Sequence, residues 1–429
     1  MNIYKWKELD EKTKGKILKR AETDITEQLK VAQEIINDVK TQGDKAVCYY
    51  TEKFDGAKLS PETLKVTEEE INAGYERISK EFKETLEFAA TNIKKFHTHQ
   101  MPEPLWFTET VPGVMVGEQT SPISDVCLYV PRGKGSFPSV LLMLAIPAIV
   151  AQVPRIVIVT PPNSIGSLDD SVLAAAKVAG VKEIYKVGGI QAVAAIAYGT
   201  ETIPACSKII GPGNSYVTAA KRLLSGVLDV GPPAGPSEAI ILADETADAK
   251  KVALDLMIEA EHGPDSASLL VTHVESLVEE VKQIIEKQLV KLSDQRKNFV
   301  NNVFNGYGGV IVTENLEQSI DFVNMYGPEH MEIMTSDPWA VLPKIKNAGE
   351  ILLGNNAPIT LANFLLGPNA ILPTGGFAKT YSSVSVFDFL KRSSVGYVTE
   401  QGYKRVRDKA ALFAREEGFE THALAVENR

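Results

Sequence analysis

The chain of 429 residues corresponds to about three domain equivalents, or two large domains with smaller appendages. Hydrophobic residues make up 44% and charged residues 23%, which excludes disordered, collagenous and disulfide-scaffold classes. The net charge of −10 repels phosphate backbones and anionic membranes, so we expect neither nucleic acid nor membrane as a partner. Three cysteines without a C-x-x-C pair, and an N-terminus without an apolar signal run, predict a cytoplasmic protein.

The first hundred residues are predicted to be helical, because apolar residues recur at helical spacing, for example over 29–39. From 125 to 226 the character changes, and short β-branched runs alternate with alanine-rich stretches. The predicted strands are 126–130, 156–159, 184–187 and 208–210. Such alternation predicts right-handed βαβ crossovers and a parallel sheet, with ligands beyond the carboxyl ends of its strands.

The longest apolar stretch, 140–159, contains Pro147 and Pro154 and is predicted as a buried helix followed by a strand, not a membrane span. A second α/β series follows the Pro- and Gly-rich link at 231–236, which is the clearest boundary. Its predicted strands are 239–242, 268–271, 309–312 and 350–353. The last stretch, 386–429, is predicted to be a helical appendage.

Glu259 and His262 lie at positions i and i+3 near the end of a predicted helix and therefore share one face. A carboxylate and an imidazole so placed can bind a divalent ion and leave positions open for substrate. A helix-terminal histidine beside an acidic surface has the same spacing, and on spacing alone that alternative is favoured roughly two to one.

Glu329 and His330 follow a Gly-Pro turn and precede a predicted strand. Adjacent residues of an extended chain point in opposite directions, so we expect the two to perform different tasks and not to form one dyad. One would serve as general base and the other would activate or orient water. A loop histidine hydrogen-bonded to its neighbours explains the residues equally well.

Residues 211–216, Gly-Pro-Gly-Asn-Ser-Tyr, follow a predicted strand and open a helix. They are not the G-x-G-x-x-G fingerprint, because Tyr216 replaces the third glycine and Pro212 removes a donor. Asn214 is a good N-cap, and the free N–H groups of that turn favour an anion. The loop 131–136, which contains Arg132 and Lys134, can likewise meet phosphates, although tight turns need glycine regardless of ligand.

Taken together, an ordered set of motifs resembles the histidinol dehydrogenase family over essentially the whole chain. They occupy residues 129–147, 187–191, 210–214, 234–238, 260–264, 328–330, 372–376, 389–392 and 418–422. The resemblance implies an NAD-dependent homodimer with one Zn²⁺ per subunit. Such an enzyme oxidises L-histidinol through histidinal to L-histidine, a four-electron reaction with two NAD in histidine biosynthesis. It also implies an α/β fold with two incomplete Rossmann-like domains, whose parallel sheets are flanked by helices, plus small helical N- and C-terminal appendages.

The resemblance also implies a division of the chain. Residues 1–25 would form an N-terminal helical appendage. Residues 26–124 and 237–381 would form the first α/β domain, which carries the metal and catalytic residues. Residues 125–236 would form the second, Rossmann-like domain on the NAD side, and 382–429 a helical tail that crosses to the dimer partner.

Transferred by motif, the resemblance gives His330 the role of the base that takes the alcohol proton and Glu329 that of activating water for the second step. The resemblance also assigns residues to each ligand. NAD would contact Tyr129, Gln191 and Asn214, the substrate would contact Ser237 and Glu417, and the metal would be bound by Glu259, His262, Asn363 and His422.

Some of these positions depart from the family pattern. The family's metal ligands are Gln, His, Asp and His. In this chain Glu259 stands in place of the glutamine and Asn363 in place of the aspartate, so the set still contains one carboxylate. Ala370 replaces a histidine beside the substrate, and Arg132 replaces a glycine near the cofactor. Because losing a polar partner can change the preferred ligand, a paralogue that oxidises another small amino alcohol, polyol or hydroxy compound with NAD is the alternative. A non-catalytic binding protein is a distant third reading, because it has no need to keep a base.

Overall fold

The computed structural model describes residues 1–20, 25–133, 135–233 and 235–429. Lys134 and Ala234, from the predicted phosphate loop and the predicted link, lie outside these described residues. The strands are β1 Ile3–Lys5, β2 Leu105–Val111, β3 Val114–Pro122, β4 Asp125–Tyr129, β5 Arg155–Thr160, β6 Glu183–Lys186, β7 Ile209–Ile210, β8 Glu238–Ala243, β9 Ala267–Thr272, β10 Gly309–Val312, β11 His330–Met334, β12 Glu350–Leu353 and β13 Leu390–Val398.

Helices occupy the predicted helical N-terminal region, the stretches between the strands and most of the C-terminal tail. They are α1 Glu11–Lys19, α2 Thr26–Gln42, α3 Asp44–Asp55, α4 Pro61–Leu64, α5 Glu68–Arg77, α6 Lys80–His99, α7 Pro138–Val150, α8 Asp170–Ala179, α9 Gly189–Tyr198, α10 Ser215–Leu224, α11 Ala249–Ala260, α12 Glu275–Leu289, α13 Asp294–Asn305, α14 Leu316–Tyr326, α15 Pro338–Val341, α16 Ile359–Phe364, α17 Glu400–Glu416 and α18 Glu420–Glu427. None of the helices within the described ranges combines the length and apolar character needed to cross a membrane.

A six-stranded parallel sheet has the strand order β1-β10-β9-β8-β11-β12. Residues of β8, β9 and β10 are buried on both faces, as their continuous apolar sequence requires. Helices α11, α12 and α13 pack on one face and α14 on the other, each over its own hydrophobic cluster. We refer to this as the large sheet.

A four-stranded parallel sheet has the order β6-β5-β4-β7 and is also covered on both faces. Helices α5 to α8 cover one face, and α2, α3, α9 and α10 cover the other. We refer to it as the small sheet. The predicted α/β fold with two parallel sheets between helices is therefore confirmed.

The N-terminal helices pack differently from the predicted domain division. The division groups 26–124 with 237–381, yet α2 packs on α9 and α10, and α5 packs on α8, all of which cover the small sheet. The segment before residue 20 contributes β1 to the edge of the large sheet. We therefore propose that 26–99 belongs with 125–236 and that 1–20 belongs with 237–381.

A three-stranded antiparallel sheet, in the order β13-β3-β2, was not predicted. The expectation that 382–429 is helical throughout is therefore wrong for Leu390–Val398, which pairs along its whole length with β3. This strand is largely exposed and shows no apolar alternation, so its sequence lacks the pattern that identifies a half-buried strand. Helices α17 and α18 follow as predicted.

Candidate active site

Buried polar side chains meet at the amino edge of the large sheet. His330 is the first residue of β11, and the parallel register sets it opposite Ala239 of β8 on one side and Glu350 of β12 on the other. Glu238 and Glu350 are likewise the first residues of their strands. Parallel α/β sheets usually bind ligands at the opposite edge, beyond the carboxyl ends of their strands. That rule therefore does not locate this cluster of polar side chains.

The imidazole of His330 is held between carboxyl groups. Its Nδ1 lies 2.9 Å from Oε2 of Glu350, and its Nε2 lies 3.9 Å from Oε1 of Glu329. Only 3% of the side chain is exposed. Burial alone would lower the pKa of His330, but the hydrogen bond that its Nδ1 donates to Glu350 and the charge of Glu329 outweigh burial and raise the pKa to about 9.

The carboxyl group of Glu329 is also buried, and its Oε2 accepts a 2.7 Å hydrogen bond from the main-chain N–H of Glu238. Burial raises the pKa of Glu329 to about 8, although the charge of His330 opposes the rise. The expectation that Glu329 and His330 point apart does not hold, because β11 begins only at His330 and Glu329 still belongs to the preceding turn.

A second polar cluster joins the end of α11 to α16. Oε2 of the buried Glu259 lies 2.7 Å from Nδ1 of His262, and Nδ2 of Asn363 donates to Oε1 of Glu259 at 3.4 Å. Oγ of Ser237 lies 3.2 Å from the same Nδ1. The charge of His262 outweighs burial and lowers the pKa of Glu259 to about 2, so the cluster holds a carboxylate. Four of the predicted metal and substrate residues are thus neighbours.

The two predicted site residues of the tail lie elsewhere. His422 is exposed on α18, where its ring packs at a tilt against that of Phe419, with 5.1 Å between the ring centroids, and Glu417 caps the end of α17. Across the described ranges, no three His, Cys, Asp or Glu side chains converge as a metal site. Of the predicted metal ligands, the two ionisable residues that lie together within one chain are therefore Glu259 and His262. His262 is 44% exposed, so its ring is accessible from outside the subunit.

The predicted NAD residues lie at the carboxyl edge of the small sheet. Tyr129 ends β4, and its hydroxyl accepts a 2.9 Å hydrogen bond from the N–H of Gly189 at the start of α9. Asn214 caps α10 as predicted, since its Oδ1 accepts from the N–H groups of Tyr216 and Val217 at 3.0 and 3.1 Å.

Gln191 and Arg132 differ in how well their polar groups are satisfied. Gln191 is 1% exposed, and neither its amide oxygen nor its amide nitrogen has a hydrogen-bond partner among the residues that the structure describes. Buried amides rarely remain so, and a bound polar cofactor would satisfy this one. Arg132 instead makes a two-point ion pair with Asp169, at 3.0 and 3.2 Å, so its guanidinium is already paired.

Sequence reasoning missed two residues of the site, Glu350 and Glu238. Each is a carboxyl group at the start of an otherwise apolar strand, which is the signal that could have identified them. Oε1 of Glu238 accepts from the N–H of Gly375 at 2.9 Å and lies 3.4 Å from Nε of the buried Arg20. Arg20 thus provides the cation that offsets the charge of Glu238.

Comparison with known proteins identifies the family of this chain. The family model described as histidinol dehydrogenase matches residues 18–429. A histidinol dehydrogenase of Synechocystis sp. is 49% identical over 427 residues, covering 100% of this chain and 98% of that protein. A histidinol dehydrogenase homolog of Rhizobium meliloti is 47% identical, covering 99% of this chain and 94% of that protein.

The structural comparison gives the same result. A crystal structure of histidinol dehydrogenase from Elizabethkingia anophelis superimposes with a TM-score of 0.94 at 34% identity, covering 99% of this chain and 96% of that one. The predicted family and the predicted enzyme class, an NAD-dependent oxidoreductase acting on a small molecule, are confirmed. This chain belongs to the histidinol dehydrogenase family.

Proposed function

We propose that this protein oxidises L-histidinol through L-histidinal to L-histidine in histidine biosynthesis. In the balanced reaction, one alcohol, one water and two NAD⁺ give one carboxylate, two NADH and three protons. The observation that carries the proposal is the buried imidazole of His330 between Glu329 and Glu350, next to an acid–imidazole cluster that begins at Glu259. An oxidation of this kind needs both a base and a group that holds the alcohol oxygen.

His330 is the base of the first step. With Nδ1 engaged by Glu350, Nε2 remains to accept the hydroxyl proton of the substrate as the hydride leaves the carbinol carbon. Burial excludes water from this proton transfer and strengthens the electrostatic interactions around the ring. A positioned base of this type contributes about 10²- to 10⁴-fold to the rate.

Glu329 is the base of the second step. The aldehyde must add water before a second hydride can leave, and the added water loses a proton to a carboxylate. The raised pKa of Glu329, about 8, suits a group that takes and returns a proton near neutral pH. NAD, held near Tyr129, Gln191 and Asn214, supplies the hydride acceptor in both steps.

The donors at the end of α11 fit a divalent metal. Glu259 offers a carboxylate, His262 an imidazole and Asn363 an amide oxygen, a set that suits Zn²⁺ or a similar ion. A metal bound there would polarise and orient the alcohol oxygen. Glu259 replaces a glutamine of the family pattern and Asn363 replaces an aspartate, so the ligand set has one carboxylate and the same net charge as in the family.

The set is completed from a second subunit. His422 and Glu417 lie on exposed tail helices, and 44% of the His262 side chain is exposed. A homodimer in which each tail reaches the partner's site would bring the fourth ligand and the second substrate residue into place. The unpaired cysteines support a cytoplasmic location for this dimer.

The decisive experiment counts NADH formed per L-histidinol consumed by zinc-loaded protein, with a chelated sample beside it. Two NADH per substrate, lost on chelation and regained with zinc, are expected. A folded, metal-loaded dimer that forms no NADH from L-histidinol would overturn the proposal and turn the search to other amino alcohols and polyols, the alternative that Ala370 raises.

The dimer has a test of its own. His422→Ala and His330→Ala subunits are each expected to be nearly inactive as homodimers. If the tails cross, a hybrid dimer contains one site with both substitutions and one site with neither. Such a dimer should regain up to about half of the activity of the unaltered dimer. Verified hybrids that stay inactive would exclude tail crossing.

A further inference from the structure

The contact between His330 and Glu350 is fixed by the sheet. β11 and β12 are parallel neighbours whose register sets these two residues directly opposite each other. The main-chain N–H of Glu350 donates to the carbonyl of Glu329, and that of Gly349 donates to the carbonyl of Pro328, both at 2.9 Å. The backbone therefore holds both side chains at the same edge, whatever contact the side chains make.

The pair is buried. The side chains of His330 and Glu350 are 3% and 6% exposed, and Oε2 of Glu350 lies 2.9 Å from Nδ1 of His330. Oε1 of Glu350 has no hydrogen-bond partner in the described part of the chain. A buried carboxylate without a second partner interacts strongly with the one it has.

This contact determines which nitrogen of His330 can act as a base. A carboxylate only accepts, so Nδ1 must carry the proton, and the lone pair of the neutral ring is then at Nε2, on the side of Glu329. The same carboxylate stabilises the imidazolium that forms when Nε2 takes a proton.

We propose that Glu350 is a positioning residue for the catalytic base: it holds His330 in the Nδ1–H tautomer, aims Nε2 at the substrate and stabilises the protonated ring. The inference rests on the proposed role of His330 as base and adds Glu350 as the group that orients its ring. Glu350 touches neither substrate nor cofactor in this assignment.

The test compares Glu350→Gln, Glu350→Asp and the unaltered enzyme in kinetics with L-histidinol. Glu350→Gln keeps the size of the side chain but can donate to Nδ1, so the wrong tautomer becomes accessible. We expect kcat to fall about 100-fold or more with KM within about threefold, and Glu350→Asp to recover part of the loss. The pH at which the base loses its proton should also move down, since the hydrogen bond from His330 to Glu350 contributes to the raised pKa of His330.

A second measurement does not depend on turnover. The chain has six histidines, so ¹⁵N-histidine labelling gives few ring signals, and the one lost in His330→Ala identifies His330. At a pH above 9, where the ring is neutral, its ¹⁵N shifts should report an Nδ1–H ring in the unaltered protein and a mixture of tautomers in Glu350→Gln. Glu332→Gln is the matched control, because Glu332 is also a buried carboxyl group of β11, but its Oε1 accepts from the main-chain N–H of Ile359. It should leave the His330 shifts unchanged.

The outcomes distinguish failure of the role of Glu350 from failure of the proposed function. Full activity in His330→Ala would show that His330 is not the base. The His330 ring shifts of the unaltered protein and of Glu350→Gln would still show whether Glu350 fixes the tautomer. An inactive His330→Ala beside a folded Glu350→Gln with unchanged kcat and unchanged ring shifts would overturn the role of Glu350 and leave the proposed function intact.

Discussion

The main-chain N–H of Glu238 donates a 2.7 Å hydrogen bond to Oε2 of Glu329, although 91 positions separate the two residues. The donor is part of the sheet edge, so it cannot rotate away as a side chain could. One carboxyl oxygen of Glu329 is thereby fixed, and the other is left 3.9 Å from Nε2 of His330. The two bases of the proposed reaction are therefore oriented by strand ends, β8 for one and β12 for the other.

Glu329→Gln should separate the two oxidation steps. The amide oxygen can still accept from Glu238, so the local structure is preserved, but the group can no longer take a proton from water. We expect oxidation of added aldehyde to fall about 100-fold or more while the alcohol step falls less. A single-turnover experiment should yield about one NADH per site where the unaltered enzyme yields two. Equal loss of both steps would show that Glu329 does not serve the second step specifically.

The pH dependence of kcat follows from the same pair. His330 must be neutral to accept a proton and Glu329 must be ionised to activate water, and their pKa values lie at about 9 and about 8. Both active forms are the deprotonated ones, so kcat at saturating substrate should rise as the pH increases from 7 to 9. Stopped assays across this range, with protein stability measured in parallel, test it. A flat profile would mean that neither group titrates in the rate-limiting step.

Much of the fold could be predicted from the sequence, since strands such as β5, β8 and β9 are continuous apolar runs between turn residues. The i, i+3 spacing of Glu259 and His262 and the N-cap at Asn214 are local features, and the structure has both. Local spacing, however, gives no information on strand order. Glu350 could not be assigned to His330 because their contact depends on β12 lying next to β11.

The segments that pack differently from the predicted domain division, and the unpredicted strands, have the same explanation. β1 belongs to the large sheet only through its pairing with β10, about three hundred residues later in the chain. β2 and β13 are largely exposed, β3 is mostly half-buried, and the three strands are held by pairing with each other, so burial leaves no periodic pattern in them. The helices of 26–99 are amphipathic as predicted, but an amphipathic face does not identify the sheet that it covers.

Exchanging the carboxylate between two proposed ligands should preserve metal binding. The double variant Glu259→Gln with Asn363→Asp keeps one carboxylate and one amide in the cluster, whereas Glu259→Gln alone leaves none. We expect the double variant to bind zinc about as well as the unaltered protein and the single variant at least about tenfold more weakly. Asn363→Asp alone sets two carboxylates side by side, so it should lower the melting temperature of the metal-free protein and increase the gain on adding zinc. Zinc content and thermal unfolding with and without zinc measure all three variants, and weak binding by the double variant would exclude a ligand role for residue 363.

The turn before α10 offers a test of the NAD side. Gly211 has φ +135°, and a Cβ added there would overlap the main-chain carbonyl of Tyr129, which cannot move without disturbing β4. The carbonyl of Gly211 also accepts a 2.6 Å hydrogen bond from Nζ of Lys221. Gly211→Ala should therefore displace the turn from Tyr129, raise KM for NAD about tenfold and lower the free energy of unfolding by about 1–3 kcal/mol.

Gly180→Ala is the matched control for this prediction. Gly180 ends α8 with φ +80°, but a Cβ there would meet no atom within 4 Å, so the substitution adds backbone strain without a collision. It should cost about 1 kcal/mol of stability and leave KM for NAD unchanged. Steady-state kinetics with varied NAD and urea unfolding measure both variants. If the two raise KM alike, general loss of stability explains the effect; if only Gly211→Ala raises it, the turn at the end of β7 contributes to the binding of the dinucleotide.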